Sequence, residues 1–213
     1  MISIDEIKEN YKEFSEVFER NFYGKVIQYG IIKGSNKILF IKPGQDGSLT
    51  GYKDKYYNLA KYINNKYGYA VICSNNPYEA PYNPIEDAIV VINEYASKMN
   101  FEEYEVYYFG NSRGGELGAR YGYLYPVIKR MLLINPPLFI NFHKMQRGLL
   151  KFNNERIVFI YGSLDPSYKY VGLIDLVGNS KISYKVLEGE DHNLSKGTYS
   201  LEYLVDNYLL NDL

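Results

Sequence analysis

The chain has 213 residues, 46% of them hydrophobic, which is enough for one domain with a full core. Its formal net charge is −1, with Lys and Arg scattered rather than clustered, so nucleic-acid binding has no electrostatic support. There is no run of 18 apolar residues and no apolar stretch near the acidic N-terminus, so neither a membrane span nor a signal peptide is expected and a cytoplasmic location is.

A single cysteine, Cys73, excludes an intramolecular disulfide and fits a reducing compartment. It sits in the apolar run Tyr69-Ala70-Val71-Ile72-Cys73 and reads as a small buried hydrophobe. Tyrosine is abundant, at 25 residues, and tryptophan absent. With the many Lys, Asn and Ile, that bias reads as codon usage rather than as an aromatic binding surface.

Ile7, Tyr11, Phe14 and Phe18 fall at helical spacing, which predicts an amphipathic helix over residues 3–22, a helical N-terminal extension over 1–22. Such a helix packs on the domain edge; the sharper alternative is a homodimer contact. Residues 24–32 alternate like a strand, and Gly34-Ser35-Asn36 turns the chain into the buried run Lys37–Ile41, a pattern that predicts a hairpin. From there strand and helix alternate. A helix is expected over 53–67, a strand over 69–74, a helix over 84–99 and a strand over 105–109. Strands over 130–134, 156–161 and 181–187 follow, and a last helix over 199–210. This order predicts an α/β fold, a three-layer α/β/α sandwich on a mostly parallel sheet of about seven strands, with an antiparallel first strand. No repeat, linker or low-complexity segment interrupts it, so one domain over 1–213 is expected.

The most informative stretch is Glu105-Val106-Tyr107-Tyr108-Phe109 running into Gly110-Asn111-Ser112-Arg113-Gly114. A buried strand, Gly-x-Ser-x-Gly and a helix in that order make a turn so sharp that the serine backbone is strained and its hydroxyl is held out. Glycines at 110 and 114 leave room for strand and helix to approach. The N–H of the next residue then stands at a helix N-terminus.

In sheets of this kind, sites gather at the carboxyl ends of strands. After strand 156–161 comes Gly162-Ser163-Leu164-Asp165-Pro166, and after 181–187 comes Glu188-Gly189-Glu190-Asp191-His192-Asn193. One of the two histidines therefore lies where a catalytic base is needed, and the order Ser112, Asp165, His192 is that of an α/β-hydrolase triad. On GNSRGG, FIYGSLDP and EGEDHN the chain, over about residues 24–211, resembles a compact member of the α/β-hydrolase superfamily.

A serine hydroxyl must lose its proton as it attacks, and His192 is the residue type that takes it and returns it to the leaving group. Asp165 would hold the imidazole in the right tautomer. The oxyanion needs donors already in place. One is the backbone N–H of Arg113; the resemblance places the other on Gln45, in the loop Lys42–Gly47. Where relatives often carry His-Gly in this loop, the chain has Pro43-Gly44.

Each residue has a plainer reading. Asp165 could cap a following helix. Glu190 and Asp191 compete as the acid, but a sequence neighbour of His192 is badly placed to grip its ring. His143 has no strand end to present it and reads as a surface residue, and the Arg113 side chain reads as a salt-bridge partner. The connection 135–155 leaves room for one short helix near 143–150 and no lid domain. Its Leu138, Phe139, Ile140 and Phe142 either roof an acyl pocket or cover the core, and the loop 74–82, with Tyr78 and Tyr82, would supply the other wall.

No metal-ligand cluster, phosphate loop or nucleotide fingerprint appears, so no cofactor and no metal are expected. The expected function is a serine hydrolase acting on a small-molecule carboxylic ester or related acyl bond, with no nucleic-acid partner. An acyltransferase or thioesterase on the same triad remains open, as does a non-catalytic binding protein on a hydrolase fold.

Overall fold

Tyr23 and Gly24, both left-handed with φ of 50° and 77°, turn the chain through a two-residue loop between strands β1 (Glu16–Phe22) and β2 (Lys25–Ile32). Positive φ at both central residues is the turn geometry that matches the twist of an antiparallel pair. The computed structural model describes residues 3–77 and 83–211, with the side chains of 140 and 141 excepted. Among the described residues there are eight strands, in an α/β architecture of hydrolase type, one strand more than expected. The extra strand is β1.

The predicted helix over 3–22 is therefore corrected. Only α1 (Ile4–Asn10) is helical, capped by Ser3, whose hydroxyl accepts the Glu6 N–H at 3.2 Å. Residues 16–22 pair antiparallel with β2, from Glu16 opposite Ile31 to Phe22 opposite Lys25. A hairpin close in sequence satisfies these backbone groups, and this wins over helical spacing that α1 satisfies only through Ile7.

The expected hairpin between β2 and β3 (Ser35–Lys42) is corrected as well. Within residues 3–106 the order is β1-β2-β4-β3, so β4 (Tyr69–Ser74) lies between them, antiparallel to β2 and parallel to β3. Gly34 crosses under this pairing; a Cβ there would lie 2.4 Å from the Tyr69 and Ala70 backbone. Helix α2 (Lys55–Tyr67) ends at the left-handed Gly68, and α3 (Pro84–Lys98) starts at Asn83, whose side chain accepts the Ile85 N–H. The buried Asp87 of α3 accepts from Tyr29 Oη at 2.7 Å and from Arg20 Nε at 3.0 Å, tying that helix to β2 and β1.

In the second half, β5 (Glu105–Asn111), α4 (Arg113–Tyr121), β6 (Ile128–Ile134), α5 (Leu138–Lys151), β7 (Arg156–Gly162), α6 (Gly172–Asp175), β8 (Ile182–Leu187) and α7 (Leu201–Val205) follow one another. Strands β6, β7 and β8 pair in parallel, with Met131 opposite Ile157 and Ile157 opposite Ile182. The carboxyl-terminal parts of β6 and β7 are buried and apolar, as strands covered on both faces must be, whereas β8 at the end of the order alternates, with Ser183 and Lys185 exposed. Helix α5 is longer than the short helix expected near 143–150, and α7 passes into a single π-helical turn over 206–210. Among the described residues no helix is long and apolar enough to cross a membrane.

Candidate active site

Ser112 stands between β5 and α4 with φ 49° and ψ −115°, a conformation that a non-glycine residue adopts only under strain. Its surroundings hold it there. Its N–H donates to the Ile134 carbonyl at 2.7 Å, and its own carbonyl accepts the Glu116 N–H at 3.0 Å. Gly110 is required by the same turn: a Cβ on it would lie 2.7 Å from the Gly114 carbonyl and the Gly115 nitrogen. The strand thus runs into the helix with backbone against backbone.

His192 lies in the loop after β8, with Nε2 3.0 Å from Ser112 Oγ. Its Nδ1 is 2.5 Å from Asp165 Oδ2, in the loop after β7. The carboxylate is buried, with 1% of the side chain exposed, whereas the imidazole is 40% exposed. A proton on Nδ1 facing Asp165 leaves Nε2 as an acceptor toward the serine hydroxyl. The other oxygen of Asp165, Oδ1, accepts the Ser167 N–H at 2.6 Å. The turn that Asp165 closes onto Ser167 and its contact with His192 therefore coexist, one on each oxygen. The next helical turn begins only at Tyr168 and has no side-chain cap, so the capping reading is not what Asp165 does.

The two competing acids spend their carboxylates on the shape of the histidine loop. Glu190 is fully buried and accepts from the Thr198 N–H at 2.9 Å and the Lys196 N–H at 3.3 Å. Asp191 accepts from the Ser195 hydroxyl and from the N–H groups of Asn193 and Ser195, both at 2.9 Å. Hydrogen bonds from Ser195 hold its carboxyl below the usual range.

Arg113 opens α4, and its guanidinium bonds the fully buried Glu116 at 2.5 Å, with Arg120 on the other oxygen at 3.2 Å. Gln45 lies exposed in the turn after β3, closed by the Gly47 N–H on the Gly44 carbonyl at 2.9 Å. Lys42, just before that turn, is fully buried; Nζ donates to the Asn75 carbonyl at 2.9 Å and to Ser74 Oγ at 3.2 Å. Burial pulls its pKa down to about 7, against a smaller upward pull from Asp87. Cys73 is buried in β4 opposite Ile41, and burial pushes its thiol up.

Of the apolar residues in the 135–155 connection, Leu138 is buried in the core. Phe139 is 51% exposed and stacks on Tyr170 with ring centroids 6.0 Å apart. The Ile140 side chain and the expected wall residues Tyr78 and Tyr82 lie outside the described residues. His143 is exposed on α5. Among the described residues no three His, Cys, Asp or Glu side chains cluster as metal ligands.

Asn135 was not singled out in the sequence. It is fully buried directly after β6, with φ 47°, and its amide bonds the backbone of both Gly162 and His192. No spacing rule marks a lone asparagine whose partners are backbone groups.

No protein-family model and no curated protein matches the chain. Solved structures do. An α/β serine hydrolase homologue from Coxiella burnetii is 13% identical, with TM-score 0.66, over 90% of this chain and 93% of that one. A serine hydrolase from Xanthomonas campestris, described as without a lid, is 12% identical with TM-score 0.63, over 93% and 96%. An esterase domain from a Rhodothermus marinus protein is 12% identical with TM-score 0.61, over 89% and 93%. At such identities the likeness speaks to architecture alone: the chain has the α/β-hydrolase fold.

Proposed function

We propose that the chain is a serine hydrolase that cleaves a carboxylic ester, or a related acyl bond, through an acyl-enzyme on Ser112. The observation that carries this reading is the continuous contact from Ser112 Oγ through the two nitrogens of His192 to Asp165.

In the first half-reaction, Oγ bonds to the acyl carbon while its proton passes to His192 Nε2. Asp165 stabilises the imidazolium through Nδ1. The tetrahedral oxyanion takes a hydrogen bond from the backbone N–H of Arg113. As the intermediate collapses, the bond to the leaving oxygen breaks and that oxygen takes the proton from Nε2. Water then repeats the sequence on the acyl-enzyme with His192 as base, releasing the acid and restoring the serine. The strained Ser112 backbone supports this reading, because it sets the hydroxyl against the imidazole. So do the described relatives, one a lidless serine hydrolase and one an esterase domain. A connection after β6 occupied by the single helix α5 is consistent with a site that has no lid.

The test is labelling of the purified chain by a fluorophosphonate, followed by hydrolysis of a panel of short-chain esters. Labelling that disappears in both Ser112→Ala and His192→Ala is the expected result, with turnover lowered by orders of magnitude in each. Labelling of Ser112→Ala at the parental rate would remove the proposal.

A further inference from the structure

Resting on the hydrolytic reading above, we infer that Asn135 is a positioning residue that ties the loop carrying His192 to the strand ends carrying Asp165 and Ser112. Its side-chain carbonyl accepts the Gly162 N–H at 3.0 Å, at the end of β7 and three residues before Asp165. Its amide nitrogen donates to the His192 carbonyl at 2.9 Å and to the Asp191 carbonyl at 3.2 Å. Both amide hydrogens face carbonyls and the oxygen faces an N–H, so only one orientation of the group satisfies its neighbours.

The backbone on either side completes the junction. The N–H of Asn135 donates to the Ile160 carbonyl at 2.8 Å, and the carbonyl of the preceding Ile134 accepts the Ser112 N–H at 2.7 Å. Tyr161 Oη donates to the carbonyl of the following Pro136 at 3.0 Å. The dipeptide Ile134-Asn135 therefore touches the backbone of the nucleophile, the backbone of the base and the strand end that leads to the acid. The left-handed φ of 47° aims the amide, and asparagine is among the few residues that accept it. The Asn135 side chain is wholly buried, so losing it leaves two carbonyls and one N–H without this partner.

A residue of this kind acts on the rate through geometry. The His192 ring is 40% exposed, so packing does not lock it on every side, and its main-chain anchor fixes the distance to Oγ. A displacement near 1 Å at a reacting pair lowers the rate by about a hundredfold.

The experiment compares the time course of fluorophosphonate labelling in the parent, Asn135→Gly and Asn135→Asp. Thermal melting and the downfield imidazole region of the proton NMR spectrum are recorded for each. Glycine accepts the backbone conformation, so Asn135→Gly removes the amide without straining the turn. Aspartate keeps the acceptor for Gly162 but turns an oxygen toward the two carbonyls. Both variants are expected to melt cooperatively and to reach the parental extent of labelling. The rate constant at saturating probe falls about a hundredfold. The Nδ1 proton resonance of His192, identified by its loss in His192→Ala, broadens or vanishes. A merely structural asparagine would lower the melting temperature and the labelled fraction while leaving rate constant and resonance alone. Parental values of both in a folded variant overturn the inference, as does loss of cooperative melting in both variants. A parent that is not labelled counts against the hydrolytic reading, and the imidazole resonance then decides the role of Asn135 by itself.

Discussion

Gly162 and Glu190 meet backbone to backbone: a Cβ on the glycine would lie 2.3 Å from the Glu190 carbonyl oxygen. The same carbonyl accepts the Leu164 N–H at 2.9 Å, so the loops after β7 and β8 are laced together where Asp165 and His192 face each other. No rotamer change relieves a clash with main chain. Gly162→Ala is therefore expected to part the two loops, at a cost of about 1–3 kcal/mol typical of overpacking. Urea unfolding reads the stability, and the labelling rate reads the site. An unchanged midpoint together with an unchanged rate would show that the loops separate freely.

Asp165→Asn keeps the shape of the side chain and an oxygen for the Ser167 N–H. Its amide, turned toward Nδ1, favours the tautomer that carries the proton on Nε2, which cannot accept from Ser112. On the proposed mechanism, turnover falls by about four orders of magnitude while melting changes little. Ester hydrolysis by this variant within tenfold of the parent would assign the acid elsewhere.

Lys42 makes a prediction about stability rather than rate. Its folded pKa is about 7 against an ordinary value of 10.5, so between those limits the unfolded chain binds the extra proton. Stability then rises with pH across that window, and the penalty is complete below pH 7. Lys42→Met fills the same space without a charge. The difference in unfolding free energy between parent and variant should move in favour of the parent by about 2 kcal/mol from pH 7 to 8.5. The buried Cys73, Tyr29, Tyr108 and Tyr161, all pushed up by burial, change stability in the opposite direction at higher pH. They are common to both proteins and cancel in the difference. Parallel curves for the two proteins would mean that Lys42 is not held near pH 7.

The succession of strands in the second half, and the placement of Ser112 and Asp165 after β5 and β7, were legible because both follow an unbroken apolar run. The run before His192 is broken by Ser183 and Lys185 and was marked by its alternation. With only two histidines in the chain, the choice of base was narrow. The N-terminal region misled for a physical reason. Ile7, Tyr11, Phe14 and Phe18 keep helical spacing, yet Phe18 belongs to β1 and stacks on Tyr29 of β2, with ring centroids 5.6 Å apart. The decisive local signal was Tyr23-Gly24, and a tyrosine with positive φ is not a residue pattern that announces a turn. The partner of β2 and β3 was hidden differently, because β4 arrives only after the whole of α2. Asn135 was invisible for a third reason. Its amide finds carbonyls 56 and 57 residues further on, and a carbonyl is the same in every residue.

Eighty residues separate Ser112 from His192. Contacts so distant in sequence close late, because the intervening chain must first be ordered. On the proposed reading, a growing polypeptide that has already exposed its serine is still chemically mute. Competence arrives only when the loop after β8 docks on its neighbours. A ribosome stalled short of residue 192, or a protease that nicks the loop, leaves a nucleophile without a base. Half-made or clipped copies would therefore be silent rather than promiscuous.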